Sequence, residues 1–257
     1  MGDRTVHGVV VRYANFSESS RMLTLFTLEE GLISAAARGA RRLKSPLRTA
    51  AEVFSFAAFG LHTGRSGGLT VTSASLVDSF YGLREDLDHL ACATEMTELV
   101  LALAPEGDPL PELFSLFVRS LGSLCHDGEE PFKVGMHFQA RAMALAGYAP
   151  ELKRCALCGG ALGDRPGFSP SDGGAVCTGC ARQAGLEPVP PGVMKTLSHV
   201  ADFDVARLHV LAIPPRQREA ASALWARYMD YHLNRHFASP EFAKRLARFK
   251  IQPPGKK

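Results

Sequence analysis

Four of the six cysteines stand in two pairs, CALC (Cys155, Cys158) and CTGC (Cys177, Cys180), with eighteen residues between the pairs. Two residues between thiolates let both sulfurs of a pair reach one tetrahedral metal at about 2.3 Å, and Gly159 and Gly160 allow the tight turn that follows the first pair. The spacing is that of a four-cysteine zinc ribbon. Four thiolates close the coordination sphere and leave no position for a metal-bound water, so one Zn2+ per chain is expected in a structural role. A redox CxxC pair and two disulfides compete for the same residues. Neither pair sits at the end of a βα unit and the expected compartment is reducing, so zinc is favoured. A zinc deaminase would need a His-x-Glu motif and a Pro before its second cysteine pair, and the chain has neither.

The second chemical feature is a charge run. AAARGARRLKSPLR, residues 35–48, carries Arg38, Arg41, Arg42, Lys44 and Arg48, with no acid between Glu30 and Glu52 and with Gly39 and Pro46 opposing a helix. Unpaired positive charge held in one loop calls for an anion. Arg12 and Tyr13 in the first strand and Arg65 in the RSGG turn are weaker candidates for the same ligand. The net charge of +3 hides an asymmetry: residues 1–80 stand at +3, residues 81–204 at −8 and residues 205–257 at +8. Such unevenness raises the local potential and makes nucleic acid a candidate partner, against the plainer reading of a solubilising surface.

The elements that must position these groups change character near residue 80. The first eighty residues read as five short strands, TVHGVVVRYA, RMLTLFTLE, GLISAAARG, AEVFSFAAFG and GLTVTSASLV, separated by turns and the basic loop. A five-stranded oligonucleotide-binding (OB) barrel fits that count, with SH3-like barrels and sandwich fragments as alternatives. Phe54 and Phe56 alternate on one strand face and read as barrel core rather than base-stacking platforms. From Leu83 onward the period is helical. Cys92, Met96, Leu99 and Leu103 share one face, Phe117, Leu121, Leu124 and Cys125 another, and FKVGMHFQARAMALAG, PPGVMKTLSHV and PPRQREAASALWARYMDYHLNRHF continue the helices, with Trp225 as core. Cys92 and Cys125 are expected in the core, not on metal.

The fold class is therefore multidomain α+β. Residues 1–80 form the nucleic-acid-binding barrel, 81–152 and 185–250 the two parts of a helical domain, 153–184 the embedded four-cysteine zinc module, and 251–257 a basic tail too polar and Pro-rich to fold alone. SPEFAKRLARFK reads as a helix capped by Ser239 that presents Lys244, Arg245 and Arg248 outward, either as a solvated face or as an auxiliary DNA contact. The chain has no P-loop, Rossmann fingerprint, nucleophile elbow or H-E-x-x-H, and its nine histidines are scattered singly. Asp86 with Asp88, or Glu129 with Glu130, could hold a divalent metal for nuclease chemistry, but they sit where helices start and acids favour the helix dipole. No active site is expected. The start lacks a signal-like organisation and no apolar run approaches the roughly 20 residues of a membrane helix, so a cytoplasmic protein without a membrane partner is expected.

Four stretches together carry a family resemblance: SESSRMLTLFTLEEGLISAAARGARRLKS, GGLTVTSASLVDSFYGLREDL, YAPELKRCALCGG leading into FSPSDGGAVCTGC, and YMDYHLNRHF. Across nearly its whole length the chain resembles the RecO family, bacterial recombination mediators of DNA repair. The resemblance implies an OB barrel, a helical C-terminal domain and an embedded zinc module. It also implies a non-enzymatic, nucleoid-associated protein of the DNA-damage response that binds single- and double-stranded DNA and anneals complementary strands. It implies work with the ring-forming partner RecR and contact with the acidic tail of single-stranded-DNA-binding protein, so that RecA filaments load. A reading from another class is a zinc-ribbon adaptor whose basic loop docks an acidic protein.

Overall fold

The computed structural model describes residues 3–65 and 67–233. Five strands, β1 (Asp3–Asn15), β2 (Arg21–Thr27), β3 (Gly31–Ala37), β4 (Phe56–Thr63) and β5 (Leu69–Asp78), close into a barrel in the order β1-β2-β3-β5-β4. All neighbours are antiparallel except β3 and β5, which meet in a short parallel contact at Ala35–Leu69 and Ala36–Thr70. Register shifts at Val10/Arg12 between β1 and β2, and at Phe56/Ala57 and Gly60/Leu61 between β4 and β5, supply the bend that closure requires.

The apolar run in β1 is continuous because both faces are covered. Val6 and Val10 point into the barrel with Leu23, Leu25, Phe59 and Leu61, while Val9 and Val11 pack outward with Phe26 and Leu32 against the helices. Phe26 meets Phe114 and Phe117 at centroid distances of 5.5 and 6.2 Å, so barrel and helices share one aromatic seam.

A 3-10 turn (Tyr81–Arg84) leads into α1 (Leu87–Leu103), followed by α2 (Pro111–His126) and α3 (Pro131–Leu145). Asp86 caps α1 by accepting from the N–H groups of Asp88 and His89, and Pro111 and Pro131 open α2 and α3, where the missing N–H costs nothing. The helix α3 lies at the centre, in contact with α1, α2 and the later helix α5 (Val193–Asp202). The cysteine insert follows as a hairpin of β6 (Gly167–Ser169) and β7 (Gly174–Val176), then a short helix, α4 (Thr178–Gln183). The chain returns to the helical bundle through α5 (Val193–Asp202), a 3-10 turn (Val205–Val210) and α6 (Pro215–Leu233), where Trp225 is buried.

Three expectations are revised. The fourth strand begins at Phe56 rather than Ala51, because residues 38–55 are spent on consecutive turns and Phe54 adopts a left-handed backbone (φ 71°). Phe54 is buried and Phe56 half-buried, yet neither fills the barrel: both join the cluster shared with the helices, Phe56 against Phe114 at 5.9 Å and Phe54 beneath Arg84. Cys92 is buried as expected, whereas Cys125 is only half-buried. Ser239 and the cations Lys244, Arg245 and Arg248 lie outside the described residues, as does the 251–257 tail.

Candidate functional site

The basic stretch is an ordered cap on one end of the barrel. Turn hydrogen bonds run Ala40 to Ala37, Arg42 to Gly39, Ser45 to Arg42, Arg48 to Ser45 and Glu52 to Thr49, each N–H donating to the earlier carbonyl. Gly39 makes the first reversal with φ +70°, a left-handed conformation that suits glycine. The small and apolar residues of the loop, Ala40, Leu47, Ala50 and Ala51, are buried in the barrel core and stopper its end. Their spacing leaves Arg38, Arg41, Arg42, Lys44 and Arg48 exposed, and none of the five makes an ion pair among the described residues.

A second loop completes this rim. The β1–β2 hairpin, residues 16–20, is tied to the basic loop: the Arg41 N–H donates to the Ser19 carbonyl (3.0 Å), the Arg41 guanidinium to the Ser17 carbonyl (3.0 Å), and the Gly39 N–H to Ser20 Oγ (3.3 Å). Asn15, Arg21 and Ala37 are in register across β1, β2 and β3, which sets both loops at the same end.

The weaker candidates separate. Arg12 is exposed on β1, with Thr24 and Ser34 as its neighbours across the sheet, three residues below the loop end. Tyr13 is covered, since the Arg21 guanidinium stands 3.9 Å over its ring and also pairs with Glu52 and the Ala51 carbonyl. Arg65 is exposed but lies in the β4–β5 turn. That turn leads into β5, whose first residues, Leu69 and Thr70, pair in parallel with Ala35 and Ala36, close to where β3 passes into the basic loop. At the base of the turn, Arg4 bridges Thr63 of β4 and Glu30 of the β2–β3 turn.

The second site is the cysteine cluster. The Sγ atoms of Cys155, Cys158, Cys177 and Cys180 all lie within 4.8 Å of one another, and Cys158 and Cys177 are 3.8 Å apart. An ideal tetrahedron with metal–sulfur bonds of about 2.3 Å has edges of about 3.8 Å, so the four sulfurs fit one metal ion. The knuckle turn forms as its glycines allow: Gly159 has φ +71°, the Cys155 N–H donates to the Gly160 carbonyl and the Gly159 N–H to the Cys155 carbonyl. The N–H groups of Cys177, Cys158 and Leu157 pull the Cys155 thiol down to about 6, while contact with the Cys177 and Cys158 sulfurs pushes Cys180 up to about 12. One thiolate forms readily and the last resists, which is the electrostatics of a cluster that a dication neutralises.

Among the described residues this is the one group of three or more His, Cys, Asp or Glu side chains placed to hold a metal. The acids considered for nuclease chemistry have other work. Asp86 caps α1 and accepts from His89, Glu129 pairs with His209 at 2.7 Å, and Glu130 pairs with Arg218 and Lys133. His137 is buried, its Nδ1 donating to the Val200 carbonyl at 2.8 Å, and burial holds its pKa below the ordinary value. No described helix is long and apolar enough to cross a membrane.

A small closed barrel with a basic end, backed by a helical bundle that carries a four-cysteine insert, defines a two-part architecture that comparison with known proteins resolves. Residues 1–80 match the family model for the recombination protein O N terminal and residues 84–241 the model for the recombination protein O C terminal. The chain belongs to the RecO family. A DNA repair protein RecO of Pelotomaculum thermopropionicum is 36% identical, with 96% of this chain and 94% of the relative aligned. That of Anaeromyxobacter sp. (strain K) is also 36% identical, over 91% and 93%. One from Acetivibrio thermocellus is 30% identical over 95% of this chain and 97% of the relative.

Proposed function

We propose that this chain is a non-enzymatic DNA-binding protein of recombinational DNA repair, acting through the basic end of an OB-type barrel. The observation that carries the reading is the set of five exposed, unpaired cations on a loop whose inner side chains are locked into the barrel. A fixed array of point charges without a shaped pocket suits phosphates and disregards sequence. The strand order, with its parallel β3–β5 contact, supports the OB reading. Arg38, Arg41, Arg42, Lys44 and Arg48 form the principal phosphate surface, Arg12 extends it along β1, and Arg65, in the turn that leads into β5, is an auxiliary contact.

In this account the protein accepts single- and double-stranded DNA, anneals complementary strands by lowering the repulsion between their phosphates, and with RecR helps load RecA on DNA covered by single-stranded-DNA-binding protein. The relatives' designation as DNA repair proteins supports the pathway. The helical part has a cleft of about 690 Å³ lined by Leu116, Leu145, Phe203, Arg119 and Arg141 but also by Glu112, Asp202 and Asp204, so an acidic tail of the single-stranded-DNA-binding protein would be held there by the apolar lining and Arg141 alone. Of the two arginines there, Arg119 pairs with Asp204 while Arg141 has no ion pair among the described residues. The cysteine module holds Zn2+ in a structural role, the ion supplying cross-links rather than a reactive water. The chain would work in the cytoplasm, at the nucleoid.

Annealing of complementary oligonucleotides without ATP tests the reading. The full chain accelerates annealing and the loop variant lacking Arg38, Arg41, Arg42 and Lys44 does not. A parent protein that neither binds nor anneals DNA would transfer the basic loop to an acidic protein partner.

A further inference from the structure

Phosphate contacts alone leave single and double strands poorly distinguished. Two apolar side chains on the same rim bear on that difference. Phe16 opens the β1–β2 hairpin and is 55% exposed, and Leu43 sits between Arg42 and Lys44 and is 82% exposed. Scattered exposed hydrophobics need no explanation, but these two come from loops that hydrogen bonds hold together.

The hairpin is not free to fold Phe16 inward. Its N–H donates to the Ser20 carbonyl at 3.2 Å, and Arg41 clamps Ser17 and Ser19 from the other loop. The clamp holds the segment that carries the aromatic ring, Phe16 being one residue from Ser17 and three from Ser19, so that a backbone phosphate at Arg41 and a base at Phe16 can belong to neighbouring nucleotides. Glu18, the one acid of the hairpin, is exposed and makes no ion pair among the described residues. Its charge repels phosphate and favours a course along the Arg41 side. Tyr13, the nearest other aromatic in sequence, has one ring face occupied by the Arg21 guanidinium.

We propose that Phe16 is a base-stacking platform for single-stranded nucleic acid, with Leu43 as an apolar contact beside it, on the rim where the basic loop takes the phosphates. The inference rests on the nucleic-acid reading of that loop and adds the group that discriminates single strands. A base has an open face in a single strand, whereas in a duplex it is already stacked. The ring adds affinity for single strands without adding charge.

The test uses the full-length protein, a (dT)20 oligonucleotide and a duplex of equal length. Phe16→Ala is expected to weaken (dT)20 binding at least about fivefold, the low end of alanine substitutions at stacking residues. It should change duplex binding less than about twofold and leave the salt dependence of (dT)20 binding intact. Phe16→Trp is expected to restore affinity and to report stacking directly, its exposed indole emission being quenched by (dT)20 while buried Trp225 contributes a constant background. Circular dichroism melting shows that the variants are folded. Equal (dT)20 affinity in parent and Phe16→Ala, or an unquenched Phe16→Trp, overturns the stacking role; if the basic-loop variant still loses its salt dependence, the phosphate surface stands. Should the parent bind neither oligonucleotide, the underlying reading fails and the platform with it.

Discussion

Stripping the metal from the cysteine module should unfold the module and weaken the helical bundle, and the structure sets the size of both effects. The module's own core contains just three buried residues, Cys155, Val176 and Ala181, with Leu162 and Leu186 partly covered. That is too little apolar surface to hold some thirty residues, and structural zinc contributes apparent free energies of about 10 to 16 kcal/mol in finger peptides. The module is also stapled to the bundle: Phe168 of β6 stands edge-on to Tyr228 of α6 at 5.6 Å, and Ala175 is buried in the same cluster. Losing Phe168 from that cluster costs about 1.5 to 3 kcal/mol, which in a chain of this size lowers Tm by roughly 3 to 12 °C. The assays are metal analysis, calorimetry with and without chelator, and hydrogen exchange. The protein should hold one equivalent of zinc. Chelation should expose the amides that donate from Cys155, Gly159 and Ala175, while those of β1 and β2 stay protected. Less than about half an equivalent of metal with Cys155 and Cys158 joined as a disulfide, or unchanged amide protection in chelator, would refute this account of the module.

The other expectations concern titration and capping. Asp86 is drawn down to about 2 by its hydrogen bonds to His89 and to the N–H groups of His89 and Asp88. Its folded pKa lies below the unfolded value, so its contribution is present above about pH 4 and is lost as pH falls toward 2. Asp86→Ala should cost about 0.5 to 2 kcal/mol at neutral pH, with the difference from the parent vanishing in acid melts. His137 is held below its ordinary value, burial being the main cause. The unfolded chain then binds its proton first, so stability should decline as pH falls below about 6.5. His137→Gln should be less stable at pH 8 and should show a flatter decline, as read from urea midpoints.

Much of this molecule can be read from residue types, and the parts that cannot have a physical reason. The cysteine cluster is legible because two CxxC pairs restrict where four sulfurs can go, and α1 and α2 because their buried residues recur at helical spacing. The basic loop is legible as charge. Its ordering is not, since Ala40, Leu47, Ala50 and Ala51 recur at a helical spacing that Gly39 and Pro46 oppose, and they reveal themselves only as a stopper in the barrel. The late start of β4 comes from the same cause: Val53, Phe54 and Phe56 look like a strand, but the left-handed turn at Phe54 aims its ring at the helices. Arg65 groups with the basic loop on charge, whereas the position of its turn comes only from the parallel register of Leu69 with Ala35. Phe16 carries no sequence signal, because an aromatic next to a turn is ordinary until Arg41 is seen to clamp its hairpin. The short helix α4 escapes pattern reading for want of length.

The central claim, that the barrel's basic end neutralises phosphates, is tested most directly by the salt dependence of single-stranded DNA binding. Each phosphate neutralised on a single strand contributes about −0.7 to the slope of log affinity against log salt. Replacing Arg38, Arg41, Arg42 and Lys44 together by Ala is expected to flatten the slope by roughly 2 to 3 units and to weaken binding to all sequences alike. The fold should persist, because the buried side of the loop is untouched and the Arg41 N–H still reaches the Ser19 carbonyl. A folded quadruple variant that keeps the parental slope would contradict the account and assign the loop to a protein partner.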